Sequence, residues 1–300
     1  MQPMGKRAAH ALLHFTVVLW GFTAIFGKSI SLSALMLVWY RVALVVLMVG
    51  AVFLFRRGGF RAPLQKLWRW AGVGVVVAIH WLCFYGCIKY AGVGVAVVCL
   101  STMTFFTALF EPWAFRRSVV GHELAIGIAA VVGVALLVRF EAQSDALGLV
   151  LGLGSSLFAA AFGTVNGRFA KEDVPEQVTF YELLAATGVT SAALLFFPGQ
   201  WVAPWQLSVH DGLSLLALSF FCTVLPWLWS LKVLRRLSPY TVSLAVSLEP
   251  VYSLVLAYFW FPGSEQLSVR FYLGAASLVG LVLLNAYLKR EPPAEMSAAA

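Results

Sequence analysis

Apolar residues run along this chain for about twenty positions at a time, separated by short polar stretches rich in Lys and Arg. A helix needs about 20 apolar residues to cross a hydrocarbon core about 30 Å thick. Measured against that length, the pattern predicts ten spans. The first five are Ala11–Lys28, Leu32–Phe55, Leu67–Cys87, Gly92–Phe115 and Glu123–Val138. The second five are Ala146–Phe169, Gln177–Phe197, Gly212–Leu234, Pro239–Phe261 and Leu267–Leu288. Membrane β-strands would alternate apolar and polar positions over about ten residues. No such alternation occurs, so the spans are predicted to be helices.

Composition agrees. Hydrophobic residues make up 61% of the 300 positions and charged residues 11%, too little polar surface to cover a soluble domain of this size. A soluble enzyme, a disordered chain and a secreted disulfide scaffold are excluded. Cys83, Cys87, Cys99 and Cys222 all fall inside apolar stretches, where cysteine behaves as a small apolar residue.

The formal charge of +8 has a distribution that explains it. Lys6, Arg7, Arg56, Arg57, Arg61, Lys66, Arg69, Arg116, Arg117, Arg168, Lys171, Lys232, Arg235, Arg236, Lys289 and Arg290 fall on one side of the ten-span scheme. Only Lys28, Lys89, Arg139 and Arg270 fall on the other, and Arg41 lies within a span. Basic loops stay in the cytoplasm, which predicts a multi-pass protein of the inner (plasma) membrane with both termini cytoplasmic. The basic balance then needs no nucleic-acid partner; membrane lipids suffice. The first span lacks a small-residue cleavage site and is expected to be retained. The tail 291–300 is expected to be disordered.

Faint self-similarity divides the chain. Trp39-Tyr40-Arg41 and Phe180-Tyr181-Glu182 lie 141 positions apart, and Gly121-His122-Glu123 and Gly263-Ser264-Glu265 lie 142 apart. Two units of five spans, 1–145 and 146–290, would enter the membrane from opposite sides, giving an inverted repeat with its site near the midplane.

Several short motifs sit on that frame. Trp20-Gly21 precedes Lys28 in the first span, Arg41 lies in the second, a Gly-x-Glu opens the last helix of each half, and Leu248-Glu249-Pro250 lies in the ninth. In these features the chain resembles the drug/metabolite transporter superfamily, in its ten-helix EamA-type branch. More narrowly it is similar to the YddG exporters of aromatic and other neutral amino acids. The resemblance implies an all-α integral membrane fold in which helices one to four and six to nine surround a central cavity, with the fifth and tenth at the periphery. The first half departs from the pattern, because Pro112 lies closer to Glu123 than Pro250 does to Glu265.

Candidate chemistry follows from what is expensive to bury. An ionisable group near the centre of a span costs about 2.5–3.5 kcal/mol on the insertion scale, which singles out Arg41, Glu182 and Glu249, with His80 mid-span in the third helix. Arg41 suits a substrate carboxylate, or a structural role as partner to a carboxylate or to helix-end carbonyls. Glu249, beside a helix-bending proline, suits a substrate amine or a group that titrates with transport. Glu111-Pro112 reads as an interfacial charge. Trp20, Tyr40, Tyr85, Trp227 and Tyr252 lie deep enough to stack on an apolar substrate, and Thr102 and Ser247 could supply neutral hydrogen bonds. His80, Cys83 and Cys87 share a helical face but lack a fourth ligand, so no metal is expected.

One motif misleads. Gly21-Phe22-Thr23-Ala24-Ile25-Phe26-Gly27-Lys28-Ser29 matches a phosphate-binding loop at every position. That chemistry needs a loop between a strand and a soluble helix, and here the match lies within a span. No ATP and no cofactor are expected. The sequence therefore reads as a secondary transporter and not an enzyme. Its expected substrates are small amphipathic metabolites, chiefly neutral and aromatic amino acids. A drug or lipid exporter on the same scaffold, or a lipid-directed membrane enzyme, are the alternatives. Drive by the substrate gradient or by a coupled ion is left open.

Overall fold

The computed structural model describes residues 4–55, 61–140, 146–260 and 269–288. The Gly263-Ser264-Glu265 motif, the tail 291–300 and Arg56, Arg57, Lys289 and Arg290 lie outside them. The described residues form helices and no strand. In order these are α1 (Lys6–Ser29), α2 (Ala34–Phe55), α3 (Leu64–Leu100), α4 (Met103–Phe115), α5 (Gly121–Phe140) and α6 (Ala146–Glu172). Then come α7 (Pro175–Phe196), α8 (Val209–Ser219), α9 (Leu225–Leu234), α10 (Pro239–Val246), α11 (Glu249–Trp260) and α12 (Val269–Leu288). Among the described residues seven stretches are long and apolar enough to cross a membrane, with α8–α9 and α10–α11 each counting as one.

α3 is two helices joined at Gly92, whose φ of 87° is open to glycine and costly for other residues. The chain folds back there. A Cβ built on Gly152 of α6 would lie 2.9 Å from Cys99 Sγ and 3.0 Å from Cys87 Sγ. Twelve residues of straight helix would hold those cysteines about 18 Å apart. Both arms of α3 therefore lie against one point on α6, and the predicted boundary between the third and fourth spans coincides with this turn.

Three irregularities interrupt the apolar helices, each leaving carbonyls that must find other donors. The first is at Ser101–Thr102, between α3 and α4. Thr102 Oγ1 and Ser156 Oγ both donate to the Cys99 carbonyl, at 2.7 and 2.6 Å. The second is at Ser247–Leu248, between α10 and α11, just before Pro250, which has no N–H to return to the preceding turn. The two breaks touch: Thr104 Oγ1 and Ser247 Oγ are 2.9 Å apart, and Ser247 Oγ donates to the Ser101 carbonyl at 3.4 Å. The third is a π-helical turn, Phe220–Val224, between α8 and α9. Pro226 follows it and cannot donate to the Cys222 carbonyl four residues back.

Packing is centred on α3, which lies against α6, α7, α1 and α2. α5 and α12 pack on each other, and α5 also on α4. Small residues permit the closest approaches. A Cβ on Gly74 of α3 would meet the Glu182 carbonyl oxygen of α7 at 2.1 Å, and one on Gly167 of α6 would meet Pro239 Cγ at 2.5 Å.

Candidate functional site

Between these helices lies a cavity with about 860 Å³ of empty space, its open mouth included. Its wall is drawn from α1 (Trp20, Thr23), α2 (Arg41), α3 (His80, Trp81, Phe84, Leu100), α4 (Met103, Thr107) and α6 (Ala159, Phe162, Gly163, Asn166). The rest comes from α9 (Trp227, Ser230, Leu234), α10 (Pro239, Val242, Val246) and α11 (Glu249). The lining thus includes residues on both sides of each break, Leu100 with Met103 and Val246 with Glu249.

Arg41 is 1% exposed and held on every side. Its Nε donates to Thr223 Oγ1 at 2.8 Å, Nη1 to Tyr85 Oη at 2.8 Å and Nη2 to the Cys222 carbonyl at 3.3 Å. That carbonyl is the one Pro226 leaves free, so the π-helical turn supplies the arginine's seat. Cζ lies 4.1 Å over the Trp81 ring, a cation–π contact in a desolvated setting. The aromatic wall continues from there. Trp81 and Trp227 have centroids 5.4 Å apart, and Trp227 stacks on Phe162 at 5.3 Å with 20° between planes.

Two carboxyls belong to this region and differ in surroundings. Glu249 opens α11 and forms part of the cavity wall. Its side chain makes no hydrogen bond among the described residues, and Arg41 supplies the cationic field it feels. Glu182 is fully buried on α7. Its Oε2 accepts from Asn166 Nδ2 and Trp227 Nε1, each at 3.3 Å, and both donors belong to cavity-lining residues.

The eleven sequence-predicted site residues fall into separate places. Trp20, Arg41, His80, Trp227 and Glu249 line the cavity. Tyr85 and Glu182 stand behind the wall, bonded to residues that form it. Thr102 and Ser247 are at the two helix breaks, satisfying backbone and each other's neighbourhood. Tyr252 is half-buried against Gly21 of α1. Tyr40 is removed from the cavity: its hydroxyl donates to the Val202 carbonyl at 2.7 Å, beside Trp39 and Trp201. His80 is anchored as well as exposed to the cavity, since Nδ1–H donates to the Ser155 carbonyl at 2.9 Å. Trp81, Phe84, Phe162 and Asn166 escaped the sequence reading. Asn166, an amide inside the sixth apolar span, carried the one signal that could have found it.

Glu111 is more than an interfacial charge. It is buried, accepts the Tyr240 backbone N–H at 2.6 Å at the start of α10, and pairs with Arg117 at 3.3 Å. Arg117 also reaches Glu123 at 2.7 Å. At the same Lys/Arg-rich end, Lys66 and Trp70 Nε1 hold the Asp173 carboxylate, and Arg235 donates to the Ala170 and Asp173 carbonyls at 2.7 and 2.9 Å. The opposite end is tied by Ser31, whose N–H and hydroxyl donate to Asp211 at 2.9 and 2.5 Å, and by Lys89, which donates to the Ile30 carbonyl at 2.7 Å. Gly21 to Ser29 lie wholly within α1, so the phosphate-loop match is helix and offers no loop of free amides.

Comparison with known proteins fits this architecture. Curated protein sequences give no match. A solved structure titled "Crystal structure of protein" aligns over 95% of this chain and 100% of its own, with a TM-score of 0.71 and 16% identity, a likeness of fold. The profile of the EamA-like transporter family matches twice, at residues 8–139 and 146–287. With two such repeats covering most of its length, the chain belongs to the EamA-like transporter family.

Proposed function

We propose that the protein exports small amphipathic metabolites, chiefly neutral and aromatic amino acids, across the inner membrane by alternating access. The observation that carries this reading is one cavity wall bearing Arg41 and Glu249 together with the aromatic surface of Trp81, Trp227 and Phe162. An amino acid brings an ammonium and a side chain that match Glu249 and the aromatic surface, with its carboxylate on the arginine's side. Apolar pockets discriminate a methylene by only about 1–3 kcal/mol, so selectivity among neutral side chains is loose. The ten spans and the inverted relation of the halves belong to the same proposal, as do cytoplasmic termini. The matching breaks in α3–α4 and α10–α11 support the repeat relation. The cavity lining reaches Leu234 and Pro239, beside Arg235 and Arg236, so in this reading its mouth faces the Lys/Arg-rich side.

Liposomes holding the full-length protein and preloaded with unlabelled phenylalanine should take up labelled phenylalanine by exchange. Glu249→Gln should lower that exchange at least about tenfold, since a hydrogen bond to a charged group contributes about 1.5–3 kcal/mol. Arg41→Lys should also lower it, because a point charge cannot replace the forked donors. Lipid scrambling with no amino-acid exchange would overturn the reading. For topology, cysteine at Arg236 should label only from the cytoplasmic side and at Gln200 only from the outside.

A further inference from the structure

Glu182 sits where a carboxylate is hardest to keep. It is fully buried, and a charge buried without a partner is strongly disfavoured. Among the described residues no cation reaches it. On α2, Arg41 is turned to Thr223 and Tyr85, and Tyr40 to Val202. On α3, Lys66 is on Asp173, Arg69 faces Glu172 at 3.7 Å, His80 is on Ser155, and Lys89 is on the Ile30 carbonyl. Lys232 of α9 is exposed, as are Arg168 and Lys171 of α6. On α7 itself, Tyr181 stacks on Trp70.

The hydrogen-bond count is also out of balance. Oε2 has two donors, but among the described residues Glu182 Oε1 has no partner, and neither does Oδ1 of Asn166, the residue already in contact with it. The site holds two orphan acceptors and lacks one donor. A proton on the carboxyl turns one orphan acceptor into the missing donor. The two existing bonds, at 3.3 Å, are longer than the usual range of about 2.7–3.2 Å, leaving them room to tighten.

We infer that Glu182, with Asn166 and Trp227, is a proton-binding site that couples transport to a counterflow of protons. This rests on the transporter reading above. With the cavity empty the carboxyl is protonated. Substrate packing against Trp227 presses the indole and the Asn166 amide toward Oε2, which favours the carboxylate. The O–H bond breaks, the electron pair stays on oxygen, and the proton leaves to cavity water. Return of the proton from the other side resets the site, giving one proton outbound from the protein per substrate bound.

The test uses the full-length protein in liposomes, with labelled phenylalanine as substrate and an entrapped pH-sensitive dye. With the membrane potential clamped, a tenfold proton gradient should concentrate phenylalanine in the acidic compartment, up to about tenfold, with protons moving the opposite way. In Glu182→Gln the accumulation ratio should fall to one, and the remaining exchange should no longer depend on pH. Gradient-driven accumulation in Glu182→Gln, or net phenylalanine accumulation by the wild type without proton movement, overturns the proposal. A second readout needs no substrate. Infrared spectra of the liposomes should contain a protonated-carboxyl band that is lost in Glu182→Gln; should that variant not fold, Trp227→Phe should move the band. A missing or unmoved band overturns the proton site. If phenylalanine is not exchanged but the band behaves as stated, the proton site stands and the substrate reading falls.

Discussion

The two broken helices, α3–α4 and α10–α11, reach one geometry by different chemistry. At Ser247–Leu248 the disruption is covalent: Pro250 lacks the N–H that would close the ladder. At Ser101–Thr102 no proline is near, and the Cys99 carbonyl is instead claimed by two hydroxyls, one from its own chain segment and one from Ser156 on α6. One half thus carries its break within itself, while the other borrows half of it from a neighbouring helix. A break made by side chains depends on packing and should be the softer of the two.

That difference can be tested, starting with the largest effect. Thr102→Val with Ser156→Ala removes both hydroxyl donors from Cys99, and at about 1 kcal/mol each should cost about 2 kcal/mol in stability in a detergent unfolding titration. Either change alone should cost about half as much. An unchanged double variant would mean that the first break needs no hydroxyls. Pro250→Ala restores an N–H toward the Val246 carbonyl and should straighten the second break, swinging Glu249 off the cavity wall. Phenylalanine exchange should fall about tenfold, equivalent to about 1.4 kcal/mol, while circular dichroism stays as in the wild type. Undiminished exchange would separate the break from the site. The smallest effect belongs to the contact between the breaks. Ser247→Ala should cost about 0.6 kcal/mol, the average for interhelical hydrogen bonds in membranes. With Thr104→Val it should be non-additive, because each residue loses the same bond.

The helices and the costly residues were legible in the sequence because both follow from the hydrocarbon solvent. Span length sets the helix length, and Arg41, Glu182 and Glu249 announce themselves by their burial cost. Helix faces were not legible. In a chain apolar on all sides, nothing in the periodicity separates a side chain facing the cavity from one facing a neighbouring helix. Tyr40 and Tyr252 looked as promising as Trp20, and Trp81 and Phe162 no more so. The break at Ser101–Thr102 was hidden too, because hydroxyls in membrane helices commonly bond back to their own turn without interrupting it, as Thr107 does to the Met103 carbonyl. Pro226 was visible, but its effect, a vacant Cys222 carbonyl, gains meaning only when Arg41 arrives from another helix.

The contact between Gly74 and the Glu182 carbonyl also limits how the molecule can move. Where two backbones meet with no side chain between them, there is nothing to rotate aside and no layer along which to slide. A Cβ at position 74 would fall 2.1 Å from that oxygen, well inside van der Waals contact. α3 and α7 therefore meet backbone to backbone there, and in the proposed alternating-access cycle the two are expected to move together, with the rocking hinged elsewhere. Spin labels placed across this seam should keep a constant separation through the transport cycle, while labels spanning the cavity change theirs.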